Sequence, residues 1–296
     1  MKTTHARLVC LLLTIFLVNS PAFGQSFETL QDELQTLIDR AASQGIRMSA
    51  GVKDLSSDAP HVELLLGSQA SFPPASTIKL LLIAALMQKV DRGIMTLDTQ
   101  VAIEADDVVG GMGILQTESV PQQVTLRRLA ELTVTISDNT ATNVLVDVVG
   151  YDAMAALADQ LGLRTMQFGR KMFEAAQPPI KDNVITAGDA LILLDQLYRG
   201  TFLSPASTQQ VLDWMSAQTV KSKIGAGIPA GVPVAHKTGE NGPVSHDIGY
   251  LLIPGHEVAM VFFAETSTTT DFAMAQMQLN PLVAELAQAV YRAVQP

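Results

Sequence analysis

The chain has 296 residues, of which 48% are hydrophobic and only 16% are charged, a composition that allows a large buried core. Its net charge is −10 at pH 7 and its Lys and Arg residues form no runs, which excludes a basic nucleic-acid-binding surface. The only cysteine is Cys10, close to the N-terminus. A mature chain that lacks this segment has no thiol, so disulfides and thiol catalysis are excluded.

The N-terminal segment has the pattern of a secretory signal peptide. Lys2 and Arg7 precede an apolar run over residues 8–18, and Ala22-Phe23-Gly24 forms a small-x-small cleavage site. The apolar run is much shorter than the roughly 20 residues that span a bilayer. We therefore predict a signal peptide over residues 1–24, a secreted or periplasmic mature protein, and no stable membrane anchor.

Hydrophobic spacing predicts strands toward both ends of the chain and helices in the middle. In chain order the expected elements are a helix at 27–42, strands at 47–55 and 61–66, helices at 77–90, 125–133, 139–149, 152–161 and 187–197, strands at 232–236, 247–253 and 257–266, and a helix at 281–293. The segment 77–90 is apolar on every side, which indicates a buried central helix. Thr186 is the expected N-cap of the helix at 187–197, and Asn280 with Pro281 is expected to start the last helix.

This order of elements predicts an α/β (α+β) protein whose two ends form one domain. We expect residues 25–70 and 200–296 to form an α/β domain, with residues 71–199 inserted in it as an all-α domain.

Three short motifs carry the chemistry. Ser76-Thr77-Ile78-Lys79 lies at the start of the buried helix, where a spacing of three residues puts the hydroxyl and the amine on one helical face. A serine needs a neighbouring base to become a nucleophile, and a lysine in apolar surroundings has its pKa lowered enough to act as one. Ser137-Asp138-Asn139 falls between two helical segments, and Lys237-Thr238-Gly239 ends a predicted strand.

With these motifs in this order, the chain resembles the class A serine β-lactamase family over essentially its whole mature length. The resemblance implies an antiparallel sheet flanked by helices plus an all-α domain, as in β-lactamases and DD-peptidases. It implies Ser76 as the acylated nucleophile, Lys79 as its proton acceptor and Ser137 as a proton relay. The substrate-binding residues implied by it are Asn139, Lys237, Thr238, Gly239 and Glu240, the last through a backbone N–H that joins that of Ser76 in the oxyanion hole.

One loop departs from the family pattern. Arg170 and Asp182 resemble the ion pair that closes it, but Met172 stands where the family has the Glu that activates the deacylating water. Glu174 is the nearest substitute base. Arg170-Lys171-Met172, Gly110-Gly111-Met112-Gly113 and His246-Asp247-Ile248-Gly249 resemble a divergent branch of the family that lacks this Glu.

Three functions follow from the resemblance. The first is a β-lactamase, which forms and hydrolyses an acyl-serine; the second is a D-alanyl-D-alanine peptidase or esterase; the third is a penicillin-binding sensor that deacylates slowly. The missing Glu favours the last two relative to an ordinary β-lactamase. The expected partner is a small β-lactam or a D-Ala-D-Ala-type peptide, the expected state is a monomer, and neither a metal nor another cofactor is expected, since the histidines show no metal-ligand spacing.

Overall fold

The computed structural model describes residues 22–56, 62–176, 178 and 181–295, with side chains from residue 27 onward. Within these ranges the helices are α1 (Ala22–Ala42), α2 (Lys79–Asp91), α3 (Leu126–Thr135), α4 (Asn139–Val149), α5 (Tyr151–Leu161), α6 (Ala187–Tyr198), α7 (Pro205–Ser216), α8 (Ile224–Gly227) and α9 (Phe272–Val294). The strands are β1 (Ile46–Asp54), β2 (Glu63–Gly67), β3 (Gln100–Ile103), β4 (Gln122–Thr125), β5 (Val234–Glu240), β6 (Val244–Leu251) and β7 (Val258–Thr266). Positions 1–21 of the predicted signal peptide lie outside the described residues, and its last three residues belong to α1.

The main sheet joins strands from both ends of the chain. Its five strands are all antiparallel and follow the order β2-β1-β7-β6-β5, with β1 beside β7 in the register Ala50↔Phe262. Along β7, Met260 and Phe262 pack with α1 and α9, whereas Val261 and Phe263 pack with α2 and α6 on the other face. Both faces are therefore covered by helices, which confirms the predicted fold class. The boundaries of the proposed inserted domain stay a prediction.

Helix α2 is the central helix that its uniformly apolar sequence predicted. The residues from Leu80 to Met87 are all at most 2% exposed, and the helix packs against α3, α4, α5 and α7. A 3₁₀ turn, Ala75–Ile78, leads directly into it. Since every side of α2 is covered, its first residue, Lys79, is carried into the interior of the protein.

Most predicted elements are confirmed, with α4 starting and ending where its spacing indicated and α6 capped by Thr186, whose hydroxyl accepts a hydrogen bond from Asp189 N at 3.2 Å. The predicted start of the last helix was wrong. It begins at Phe272 because Asp271 Oδ1 caps it by accepting from Met274 N at 2.9 Å, and Pro281 lies in its interior. Asn280 is not the N-cap, since its side-chain oxygen accepts a hydrogen bond from Ser245 Oγ of β6 at 2.7 Å.

Two further differences concern elements near the predicted motifs. β5 is longer than expected and continues through Lys237-Thr238-Gly239 to Glu240, because pairing with β6 extends to Glu240↔Ser245. Helix α7 and the small β3-β4 sheet were missed. Within the described residues no single helix is long and apolar enough to cross a membrane; α4 and α5, bent by 82° to each other, meet that criterion only when taken together.

Candidate active site

Ser76 lies in the 3₁₀ turn before α2 and faces a cavity of about 620 Å³. The preceding residue, Ala75, has a positive φ of 46°, and the Thr77 hydroxyl donates to the Pro74 carbonyl at 2.7 Å, which fixes the turn. The chain then enters α2, so Ser76 stands at the positive end of that helix dipole. This position favours negative charge that develops on or near its oxygen.

Lys79 is completely buried directly behind this turn. Its Nζ donates to the Ser137 carbonyl at 2.8 Å, to Ser137 Oγ at 3.2 Å and to Asn139 Oδ1 at 2.8 Å. Burial, with the nearby Lys237 adding to it and Asp138 opposing, holds the pKa of Lys79 well below its ordinary value. No hydrogen bond joins this amine to the Ser76 hydroxyl among the described residues.

The Ser137-Asp138-Asn139 motif forms the junction between α3 and α4. Asp138 caps α4 by accepting from Ala141 N at 2.9 Å, and its second oxygen accepts from the backbone N–H groups of Ile114 and Leu115 at 2.8 and 2.9 Å. Asp138 therefore holds the loop around residue 114 in place. Asn139 bridges two segments, since its Oδ1 accepts from Lys79 and its Nδ2 donates to the Gly110 carbonyl at 3.1 Å.

Lys237 completes a chain of buried polar groups. Its Nζ donates to Ser137 Oγ at 3.1 Å and to the Thr238 carbonyl at 2.8 Å, so Ser137 Oγ lies between the amines of Lys79 and Lys237. Burial lowers the pKa of Lys237 to about 7; Lys223 also lowers it, while the carboxylates of Glu240 and Asp247 oppose the shift. At neutral pH this lysine is poised between its two charge states.

Strand β5 brings its motif against the turn that carries Ser76. Gly239 is needed there, because a Cβ at this position would lie 2.8 Å from Pro74 O and 2.9 Å from Thr77 N. Asn241 N donates a hydrogen bond to Val244 O. Because hydrogen-bonded and non-hydrogen-bonded pairs alternate along an antiparallel ladder, the backbone N–H and C=O groups of Thr238 and Glu240 point away from β6. β5 is an edge strand, which leaves the Glu240 N–H pointing outward on the cavity side.

The side chain of Glu240 forms an ion pair that the sequence did not reveal. Its Oε1 accepts a hydrogen bond from the Nζ of Lys223, a residue that precedes α8 and is fully buried. Nothing in the local sequence Lys221-Ser222-Lys223 marks one of the two lysines as buried.

Two histidines join the segments of this region by hydrogen bonds, although neither is predicted to take part in the chemistry. His236 Nδ1 lies 2.9 Å from both oxygens of Asp247, which also accepts from Ile224 N at 3.0 Å. His246 Nε2 donates to the Pro73 carbonyl at 2.9 Å, while its Nδ1 accepts from Ala264 N at 3.2 Å. Burial lowers the pKa of His246 to about 4, so the ring is neutral and ties β6 and β7 to the segment that leads to Ser76.

The loop after α5 forms the opposite wall of the cavity. Arg170 Nε donates to Asp182 Oδ1 at 2.7 Å, which is the pairing that the resemblance implied. Met172 lines the cavity, and Asn143 fixes its backbone by accepting from its N–H at 2.7 Å and donating to its carbonyl at 3.1 Å. Glu174 is not among the cavity-lining residues; its carboxylate accepts from Lys171 N at 3.0 Å.

Backbone strain concentrates at this site. The non-glycine residues with positive φ among the described residues are Ala75 at 46°, Ser137 at 60° and Phe173 at 65°. Ala75 and Phe173 line the cavity, and Ser137 Oγ lies between the amines of Lys79 and Lys237. Such conformations cost about 1–3 kcal/mol each and persist where the surrounding structure enforces them, typically at functional sites.

The arrangement as a whole can perform acyl transfer. It offers a hydroxyl at a helix start, a buried amine with a lowered pKa, a second hydroxyl between two amines, and outward-facing backbone N–H groups. No group of three or more His, Cys, Asp or Glu side chains suited to hold a metal ion occurs in the described part of the chain.

Comparison with known proteins agrees with this geometry. The model of the beta-lactamase enzyme family matches residues 29–294. Beta-lactamase AER-1 of Aeromonas hydrophila is 30% identical over 196 residues, which cover 64% of each chain and so slightly less than two thirds of AER-1. The extended-spectrum beta-lactamase PER-1 of Pseudomonas aeruginosa is 26% identical over 94% of this chain and 92% of its own length.

Solved structures show the same fold. A point variant of PBP-A, in an acyl-enzyme complex with penicillin G, superposes with a TM-score of 0.79 at 26% identity, covering 90% of this chain and 96% of that one. The family model covers nearly all of the described residues, including the three motifs. The chain therefore belongs to the beta-lactamase enzyme family, as its motifs predicted.

Proposed function

We propose that this protein hydrolyses the amide of β-lactams through an acyl-enzyme on Ser76. The observation that carries the proposal is the buried polar chain behind Ser76, in which Ser137 Oγ lies 3.2 Å from the amine of Lys79 and 3.1 Å from that of Lys237. A completely buried lysine with a lowered pKa has little structural use, whereas it is what a serine nucleophile requires. Membership of the family supports the same chemistry.

Acylation needs one proton to move from the nucleophile to the leaving nitrogen. Neutral Lys79 takes the proton of Ser76 as Oγ bonds to the β-lactam carbonyl carbon. When the C–N bond breaks, the proton reaches the ring nitrogen through Ser137, the hydroxyl that contacts both amines. The backbone N–H groups of Ser76 and Glu240 stabilise the oxyanion.

Substrate binding falls to Asn139 and to the strand motif. The Asn139 amide also orients the amine of Lys79, so it links binding to the proton acceptor. Lys237 and Thr238 would meet the carboxylate of the substrate, with Gly239 allowing the close approach of the strand. An anion beside Lys237 favours the charged amine, which offsets the effect of burial on its pKa.

Deacylation is the step for which the chain lacks the familiar base. Met172 lines the cavity and cannot accept a proton from water. Glu174 stays the candidate base, and to reach the cavity its carboxylate must first leave the N–H of Lys171. We propose that hydrolysis of the acyl-enzyme is therefore the slow step.

A second candidate function rests on the same observation. A site that acylates readily and deacylates slowly suits a D-alanyl-D-alanine peptidase, an esterase or a penicillin-binding sensor. Met172 on the cavity wall favours this alternative, as does the similarity to a PBP-A variant captured as a penicillin acyl-enzyme. In either case we propose a secreted or periplasmic monomer without a cofactor, released by cleavage near Gly24.

The decisive experiment follows the mass of the mature protein after it is mixed with penicillin G or a chromogenic cephalosporin. We expect a covalent adduct that Ser76→Ala abolishes, while its circular dichroism spectrum is unchanged. Ser216→Ala, an exposed serine of α7, is the matched control and should acylate like the wild type. An adduct that persists on folded Ser76→Ala would refute the assignment of the nucleophile.

A further inference from the structure

We infer that Phe173 is a specificity-determining residue: its ring bridges two loops of the cavity wall and excludes β-lactams with a bulky acylamino side chain. This side chain is the amide substituent next to the scissile carbonyl. The inference deepens the proposed function and rests on it, because it concerns the substrate of the same cavity. None of the three sequence motifs contains Phe173, so its role is separate from acyl transfer itself.

Phe173 lies at the tip of a tight turn in the loop after α5. Glu174 N donates to the Lys171 carbonyl at 3.3 Å, and Phe173, the third residue of this turn, has a φ of 65°. Turns with a positive φ at this position favour Gly or Asn there, because other side chains are strained. The residue is 69% exposed, so burial in the core does not account for a large aromatic side chain at this point.

Hydrogen bonds on both sides of Phe173 fix this turn. On one side, Asn143 accepts from the N–H of Met172 at 2.7 Å and donates to its carbonyl at 3.1 Å. On the other side, Arg170 Nη1 donates to the Glu174 carbonyl at 2.7 Å. The backbone of Phe173 is therefore held in place, and the ring can leave its position only by rotation of its own side chain.

The ring of Phe173 reaches the loop between β3 and β4. A Cβ on Gly111 of that loop would lie 2.7 Å from Phe173 Cζ and 2.8 Å from Asn139 Nδ2, and all three residues line the cavity. The tip of the ring and the Asn139 amide are therefore neighbours on the cavity wall. The backbone beneath the ring is also held, because the Gly111 carbonyl accepts from Gln116 Nε2 at 2.7 Å and the Gly110 carbonyl accepts from Asn139 Nδ2 at 3.1 Å.

The orientation of the substrate decides which part of it meets this ring. With its carboxylate at Lys237 and Thr238 of β5, as proposed above, a β-lactam extends its acylamino side chain toward Asn139 and the opposite wall. The ring of Phe173 beside Asn139 occupies volume that a wide substituent on this side chain needs. A slim or flexible substituent fits beside the ring, whereas a branched one must displace it, which costs free energy in the acylation transition state.

The test compares two penicillins that differ only in the acylamino side chain. Penicillin G carries a slim phenylacetyl group, and its analogue carries a dimethoxybenzoyl group whose two ortho methoxy groups flank the carbonyl. The acylation rate constant of each is measured from the mass of the adduct over time. Phe173→Ala should raise the rate with the dimethoxybenzoyl analogue by about tenfold or more and change the rate with penicillin G less than about threefold. Met277→Ala, which removes an 80% exposed residue of α9 that does not line the cavity, is the matched control and should change neither.

Phe173→Gly separates the effect of the ring from that of the turn. It removes both the ring and the strain, whereas Phe173→Ala removes the ring and keeps a non-glycine residue at positive φ. Equal gains for the two variants support the inference. A gain in Phe173→Gly alone assigns the selection to the backbone of the turn and overturns the inference. Both variants should fold, since the residue is largely exposed, and circular dichroism checks this.

The same rates distinguish failure of the inference from failure of the proposed function. If penicillin G forms an adduct but Phe173→Ala leaves the preference between the two penicillins unchanged, only the inference is refuted. A wild type that reacts equally fast with both penicillins also refutes only the inference. Absence of any adduct on the wild type refutes the proposed function and the inference with it.

Discussion

The deacylating base can be tested by placing a carboxylate where the chain has Met172. The backbone of Met172 is fixed by two hydrogen bonds with Asn143, at 2.7 and 3.1 Å, and the residue lines the cavity. Met172→Glu therefore introduces a carboxylate at a defined point of the wall without moving the loop. Met172→Gln has the same shape without the charge and is the matched control.

The expected gain follows from the value of general-base help, about 10²–10⁴-fold. We expect Met172→Glu to speed hydrolysis of the acyl-enzyme by about 100-fold or more. Acylation should change little, because Lys79 and Ser137 are untouched. The assay is stopped-flow with a chromogenic cephalosporin, where the burst reports acylation and the steady state reports deacylation, together with mass spectrometry of the adduct.

The same assay distinguishes the roles of Glu174. If Glu174 is the base, Glu174→Gln should let the adduct accumulate while the burst rate is unchanged, although its carboxylate rests on Lys171 N in the structure. If it is only a loop residue, the wild type itself shows a burst and slow turnover, and Glu174→Gln behaves identically. Fast turnover without a burst, unaltered by Glu174→Gln, refutes both versions and assigns both half-reactions to Lys79 or another group.

Equal rates for Met172→Glu and Met172→Gln would show that no deacylating water lies near residue 172.

Four further predictions concern the site and its support. Lys237→Ala should weaken binding of anionic substrates by about ten- to a hundredfold and binding of neutral esters much less. In the wild type, the affinity for anionic substrates should fall as pH rises through about 7, because the amine of Lys237 then loses its charge. Gly239→Ala should lower the unfolding free energy by about 1–3 kcal/mol and slow acylation, whereas Gly188→Ala, which has ordinary contacts inside α6, should not. The pKa of His246 is about 4 in the folded protein, below its unfolded value of 6.5. Its contribution to the free energy of unfolding is therefore complete above pH 6.5, and about 3 kcal/mol of stability is lost as pH falls from 6.5 to 4. His246→Gln should flatten this part of the curve of stability against pH, measured by urea unfolding. Because cleavage of the signal removes Cys10, the exported protein should have the same melting temperature with and without reductant, and a shift of several degrees would contradict that cleavage.

Local rules were sufficient for most of the fold. The apolar spacing of 77–90 and 139–149, and the cap at Thr186, depend on residues close in sequence, and the structure confirms them. The prediction of where α9 starts was wrong because it also relied only on residues close in sequence. Asn280-Pro281 has the composition of a helix start, but Asp271 supplies a cap nine residues earlier, and contacts of the helix with β6 and β7 stabilise it across the proline.

The candidate site was predictable only where short motifs define it. Ser76, Lys79 and Ser137 are recognisable by spacing and order; Ser76 lines the cavity, and the structure brings the amine of Lys79 to the Ser137 hydroxyl. The ion pair between Lys223 and Glu240 was not predictable, because it forms when the segment before α8 packs against the edge strand. Burial of a lysine is decided by such distant packing, not by its neighbours in sequence.

The two buried amines of the site reduce the stability of the fold. Burial lowers the pKa of both Lys79 and Lys237, which means that the fold disfavours their charged forms relative to the unfolded chain. Since the unfolded state binds these protons more tightly, each lysine reduces stability as pH falls below its ordinary pKa. Strain at Ser137 adds to this cost. The apolar packing around α2 and on both faces of β7 must offset it, so the core stabilises a neutral amine where the chemistry requires a base.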